Sequence, residues 1–105
     1  MCLKLTDTVD QLVVAHCADY SRRKAQIERG GMSQRTVMEL RYLNFRMLDA
    51  AAELVGEDDA EVYIEEIGMR RGYASTKIED ISESTYKIKK QKIKLALARG
   101  IHLID

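Results

Sequence analysis

Apolar residues recur along this chain at the three-and-four spacing of helical faces, in stretches separated by glycine. Val9, Leu12, Val13, Cys17, Tyr20 and Ile27 make the first face. Thr6 or Thr8 stands ahead of it as a cap and Gly30 and Gly31 follow it, which predicts a helix ending at about Arg29. A second helix starts at Ser33 and ends near Gly56. Its apolar positions Val37, Leu40, Met47, Ala51 and Leu54 trace a heptad-like seam, with Asn44 in register between Leu40 and Met47. The link from Gly30 to Ser33 is so short that the two helices must fold back as an antiparallel hairpin.

Beyond Gly56 the pattern predicts a third helix over about Asp59 to Arg71. Asp58 and Glu61 form its reciprocal cap, and Arg70 and Arg71 lie at its negative end before Gly72. Val62, Tyr63, Ile67 and Met69 are its expected buried residues. A hydroxyl-rich segment from Tyr73 to Ser82 follows, in which Ser75 or Thr76 caps a turn of helix around Lys77 to Asp80. The last helix begins at Ser82 or Ser84 and runs to Arg99. At about 100° per residue, Tyr86, Ile93 and Leu97 share one face while Ile88 and Leu95 fall almost opposite. One stripe packs on the domain; the other needs a covering element or a second copy.

Composition narrows the architecture. With no proline, six glycines and six aromatic residues, the 105-residue chain is expected to be all-α, a single domain over 1–105. Residues 6–56 form the hairpin and 57–105 a helix-turn-helix-like part. Cys2 and Cys17 are too few for a disulfide framework and show no zinc spacing, which fits a reducing cytoplasm. The longest apolar run near the start, Leu12 to Ala15, is preceded by Lys4, Asp7 and Asp10, so no signal peptide is expected. Nor does any stretch approach the roughly 20 apolar residues of a membrane span. The expectation is a soluble cytoplasmic protein that does not engage a membrane.

Charge alters the functional picture. The formal net charge is zero, yet residues 20–46 hold seven basic against two acidic residues, and residues 49–66 hold eight acidic residues and no basic one. Then Lys87, Lys89, Lys90, Lys92 and Lys94 crowd into eight positions. Such blocks either neutralise one another across neighbouring helices or leave a basic face free for a polyanion. A helix, a short helix, a turn and a basic helix have the order of a helix-turn-helix reader, whose last helix meets DNA by its N-terminal residues. That order makes Ser82, Ser84, Thr85, Lys87, Lys89 and Lys90, with Arg70 and Arg71, the candidate DNA-binding residues. Lysine there neutralises phosphate as a point charge and does not read bases as a fork.

Three segments, YSRRKAQIERGGMSQRTVMELRYLN, IGMRRGY and SESTYKIKKQKI, resemble small phage-associated transcriptional regulators of the RinA and ArpU type. The C-terminal halves of those regulators are similar to the DNA-binding fourth region of sigma factors. The motif residues are Arg70, Arg71, Gly72 and Tyr73, then Ser82, Thr85, Tyr86, Lys90 and Lys92, within a likeness spanning roughly residues 19–104. It implies a DNA-binding regulator or RNA-polymerase-associated factor; the homodimer expected from the second stripe of the last helix would form through the N-terminal hairpin. Glu79 and Asp80 depart from it by placing negative charge next to the recognition helix.

Enzymatic chemistry has little support. His16 and Cys17 are adjacent, so on a helix they diverge by about 100° and do not pair as base and nucleophile. His102 lacks a carboxylate at a telling spacing, and the acids at 57–61 lack the glycine of a calcium loop. They read as a helix start, and Glu65 and Glu66 as surface charge. No catalytic role, cofactor or metal is expected. The alternative to DNA binding is a helical interaction module assembling through Asn44, Ile88 and Leu95, its lysines paired with the acidic stretch.

Overall fold

In the computed structural model, which describes residues 5–104, three of the four helices begin where a hydroxyl closes the first turn. Cys2 and Lys4 lie outside the described residues. Helix α1 spans Asp7–Arg29, α2 Gln34–Val55, α3 Glu57–Gly68 and α4 Glu83–Gly100, with a single 3-10 turn at Tyr73–Ser75. Thr6, Ser33 and Ser82 cap α1, α2 and α4 by accepting from the amides of Val9, Thr36 and Thr85 at 3.2–3.3 Å. Among the described residues there is no strand, and the fold is all-α.

Gly30 and Gly31, at φ +80° and +87°, turn the chain between α1 and α2, which form the antiparallel hairpin. Helix α3 packs on both arms, and α4 lies against α2 and α1. The four helices share one core. It contains Val13, Val14, Cys17 and Tyr20 from α1, Met47 and Ala51 from α2, Ala60, Tyr63, Ile64 and Ile67 from α3, and Tyr86, Ile93, Leu97 and Ala98 from α4. Leu12, Leu54 and Met69, expected on buried faces, are exposed, Met69 because α3 ends one residue before it.

Two polar contacts hold the helices in register. Arg23 is 4 % exposed, in the α1–α2 crossing. Its Nε donates to Asn44 Oδ1 at 2.6 Å, one terminal nitrogen meets Asp19, and the other lies 3.3 Å from the Met47 sulfur. The Asn44 amide nitrogen donates in turn to the Tyr20 carbonyl at 3.1 Å, so both ends of that side chain are engaged within the chain. Between α1 and α3, Tyr20 Oη and Lys24 Nζ donate to the two oxygens of Glu61 at 2.6 and 2.8 Å. These donors hold the Glu61 carboxyl below its ordinary range, the Lys24 bond first and the Tyr20 bond second.

Glu61 is therefore not part of a cap. Helix α3 starts at Glu57, straight from Gly56 at φ +84°, with no side chain closing its first turn. It ends at Gly68, earlier than the expected Arg71. The amides of Arg70 and Arg71 donate to the carbonyls of Ile67 and Glu66, a Schellman closure with Arg70 in the left-handed region at φ +56°. Helix α4 closes the same way, through His102 at φ +62° and the carbonyls of Arg99 and Ala98. Gly72 and Gly100, which mark these ends in the sequence, are not the terminating residues. The short helix expected at 77–80 is instead the 3-10 turn four residues earlier, since Thr76 and Lys77 are drawn to a side chain of α3.

At Gly68 the backbones of α3 and α1 approach closely. A β-carbon there would lie 2.7 Å from the Ala18 nitrogen and 2.8 Å from the Cys17 carbonyl carbon, both backbone atoms that cannot swing aside. Gly68→Ala should therefore separate the two helices and cost about 1–3 kcal/mol, read as a lower urea midpoint at unchanged slope. Gly72→Ala, with open space around the added carbon, should leave the midpoint nearly unmoved.

Candidate nucleic-acid interface

Tyr86, Ile93 and Leu97 point into the core, as their shared face predicts, and so fix how α4 is rolled on the bundle. That roll sorts the five lysines. Lys94 is turned inward and donates to Asp10 of α1 at 3.0 Å, with its side chain only 17 % exposed. Lys90 Nζ donates to the Arg71 carbonyl at 2.6 Å and lies 5.6 Å from the Tyr86 ring centre. Burial first, and then the positive charge of Lys94, pull the Lys90 pKa down. Lys87 is exposed and pairs with Glu83 one turn earlier at 3.1 Å, an arrangement worth little in water. Lys89 is half-buried and Lys92 exposed, and neither has a carboxylate partner among the described residues.

No carboxylate of residues 49–66 pairs with these lysines. Among the described residues, the one ion pair joining the acidic stretch to a basic block is Lys24 with Glu61. The hydroxyls at the start of α4 are largely engaged with one another. Ser82 Oγ lies 2.8 Å from Thr85 Oγ1 and 3.4 Å from Ser84 Oγ, while also accepting from the Thr85 amide. Arg70 is exposed and Arg71 half-buried on the turn that Lys90 touches, so the structure brings the 70–71 turn and α4 together. Ile88 is 55 % exposed beside Lys87 and Lys89, and Leu95 is half-buried.

The organising residue of this region is Glu66, expected on the surface and found only 2 % exposed. Its carboxylate accepts from Thr76 Oγ1 at 2.7 Å, the Lys77 amide at 2.7 Å and Tyr86 Oη at 2.8 Å. One side chain of α3 thus fastens both the 73–82 segment and α4. Tyr73 adds a bond from its hydroxyl to the Ile81 carbonyl at 2.7 Å, and the Tyr63 and Tyr86 rings stack at 5.6 Å. Burial alone would raise the Glu66 pKa, but the Lys77 amide and the Thr76 and Tyr86 hydroxyls outweigh it and hold the carboxyl below its ordinary value. Tyr86 is pushed up to about 12 by burial and by Glu66, so its hydroxyl remains a donor at neutral pH. Two of the three donors to Glu66, the Thr76 and Tyr86 hydroxyls, are visible in the sequence; the third is the Lys77 backbone amide. Glu66 itself carried no periodic signal, because it lies at the edge of the α3 apolar face.

Elsewhere, Cys17 is fully buried and its thiol is pushed up to about 12 by burial, which leaves it unreactive. Among the described residues no three of His, Cys, Asp and Glu converge as metal ligands, and no helix is long and apolar enough to cross a membrane. No protein-family model, curated protein or solved structure matches the chain.

Because the folded carboxyl of Glu66 titrates below its unfolded value near 4.5, the stability it contributes is present above that value and lost as pH falls through the folded one. Glu66→Gln places an amide where three donors converge and should cost about 1–3 kcal/mol at neutral pH. The gap to wild type should shrink as the pH drops below 4.5, since Asp19 and Glu61 titrate alike in both proteins. Urea unfolding at several pH values checks this, and a gap that is constant with pH contradicts it.

Proposed function

We propose that the chain binds duplex DNA through the 70–71 turn and the outer edge of α4, as a phage-type transcriptional regulator or a factor associated with RNA polymerase. The observation that carries this is charge left without internal compensation. Residues 70–94 contain eight basic and three acidic residues, and Arg70, Lys89 and Lys92 have no carboxylate partner among the described residues. The basic surface is smaller than five lysines suggest, since Lys90 and Lys94 serve the fold. Arg70 adds a second indication. A left-handed residue without glycine's freedom costs about 1–2 kcal/mol, and strain of this kind collects where a side chain is needed. Contacts of this type neutralise phosphate and do not specify sequence.

Fluorescence anisotropy of a labelled duplex across a salt series tests the proposal. Affinity should fall linearly with log salt, by about 0.9 in slope per phosphate neutralised, and Lys89→Ala and Lys92→Ala should each remove about one such contact. Arg70→Gly separates binding from folding, because it should weaken the complex while raising stability by up to about 1 kcal/mol. Absence of binding at low salt, or affinity indifferent to salt, rejects the reading.

A second reading, a protein interaction module without nucleic-acid binding, draws on the exposed Ile88. If α4 is an assembly surface, sedimentation of the purified protein should show an oligomer that Ile88→Glu dissolves without loss of helical content. An oligomer untouched by that change, or a monomer in both samples, removes α4 from consideration.

A further inference from the structure

The largest row of exposed apolar side chains lies on α2. Met38, Tyr42 and Phe45 are 63, 60 and 63 % exposed and fall within one narrow face, opposite the buried Met47 and Ala51. No described element covers this row. The same helix is divided by charge. Arg35 and Arg41 occupy its first half with only Glu39 between them; Arg46, which donates to the Gly100 carbonyl at 2.8 Å, lies just past the middle, Asp49 and Glu53 occupy the rest, and no basic residue follows until Arg70.

We propose that the outer face of α2 is the surface on which a second copy of this chain docks, with the two α2 helices antiparallel about a twofold axis. Direction follows from charge. A parallel pair sets Arg35 against Arg35 and Asp49 against Asp49. Reversing one copy about a point near Leu43 places Arg35 of each between Asp49 and Glu53 of the other, with Tyr42 and Phe45 at the centre. The pattern is self-complementary: an apolar middle with one basic and one acidic end, which is what an isologous contact between identical surfaces requires. At 1.5 Å per residue the 22-residue helix is about 33 Å long, and the exposed apolar row from Met38 to Phe45 occupies about 10 Å of it, flanked by the charged ends. Aromatic anchors surrounded by charge are the composition of an association surface and not of a solvated helix face. This surface is on a different element from the α4 lysines, so it stands whether or not the chain binds DNA.

Sedimentation equilibrium of the full chain over a range of concentrations tests the proposal. Wild type should show a monomer–dimer equilibrium, and Tyr42→Glu with Phe45→Glu should convert it to monomer with an unchanged far-ultraviolet circular dichroism spectrum. Arg35→Glu should weaken the dimer about tenfold, and adding Asp49→Arg and Glu53→Arg to it should restore association. In a parallel pair Arg35→Glu would merely exchange one repulsion for another. A monomeric wild type overturns the proposal, as does a dimer that survives the Tyr42/Phe45 change or yields only to Ile88→Glu. An Arg35→Glu variant that dimerises as well as wild type overturns the antiparallel arrangement.

Discussion

A carboxylate removed from water at Glu66 governs the C-terminal half of this protein. Burying an ionised group is tolerable only when hydrogen bonds replace its hydration. Here the replacements come from Thr76, the Lys77 amide and Tyr86. The three donors belong to a loop and a helix that make few other contacts with α3. Satisfying the charge and positioning α4 are accordingly one event. Tyr86 takes part twice, through its hydroxyl on Glu66 and its ring against Tyr63, and this sets the roll of α4. That roll turns Lys94 toward Asp10 and Lys92 toward solvent. A buried anion thereby decides which cations the surface keeps.

The helices themselves were legible because their signals are local. Thr6, Ser33 and Ser82 as caps, Gly30 and Gly31 as the hairpin turn, and the inward face of Tyr86, Ile93 and Leu97 all follow from spacing and side-chain chemistry within a few residues. The end of α3 was not legible. Arginine is a poor residue for a left-handed closure, so Gly72 drew the boundary that Arg70 in fact makes. Gly68 was equally silent, since its role depends on the α1 backbone fifty residues earlier in the chain. Among the site residues, the run of lysines identified the basic helix. It did not separate Lys90 and Lys94, whose partners are a carbonyl on another turn and a carboxylate 84 positions away.

Asn44 shows how one sequence signal admits two structural uses. A polar residue in an apolar seam can select a partner helix, and here the partner is α1 of the same chain, through Arg23 and the Tyr20 carbonyl. The guanidinium of Arg23 would otherwise be a buried cation with Asp19 as its sole carboxylate neighbour. With Asn44 present, the α1–α2 crossing acquires direction as well as contact. Polar contacts of this kind recur at the α1–α3 and α3–α4 crossings, through Glu61 and Glu66, and a core of fourteen buried apolar side chains has few other means of excluding shifted packings.

The charge blocks are the feature that internal structure does not absorb. Folding α1 back on α2 sets Arg22 and Arg29 at the same end of the hairpin as Arg35 and Arg41, so like charges share that end. The acidic stretch lies at the opposite end and on α3, where among the described residues a single carboxylate, Glu61, is reached by a basic side chain from another helix. Were these blocks there to stabilise the monomer, the hairpin would have its charges interleaved. Their segregation costs the isolated fold some repulsion; exposed pairs within one helix, Arg22 with Asp19 and Arg35 with Glu39, offset part of it, and opposite charge from outside would relieve more. On the proposals made above, a phosphate backbone would supply it to α4 and a reversed second copy to α2. The zero net charge of the chain is thus the sum of segregated blocks and says nothing about how charged each surface is.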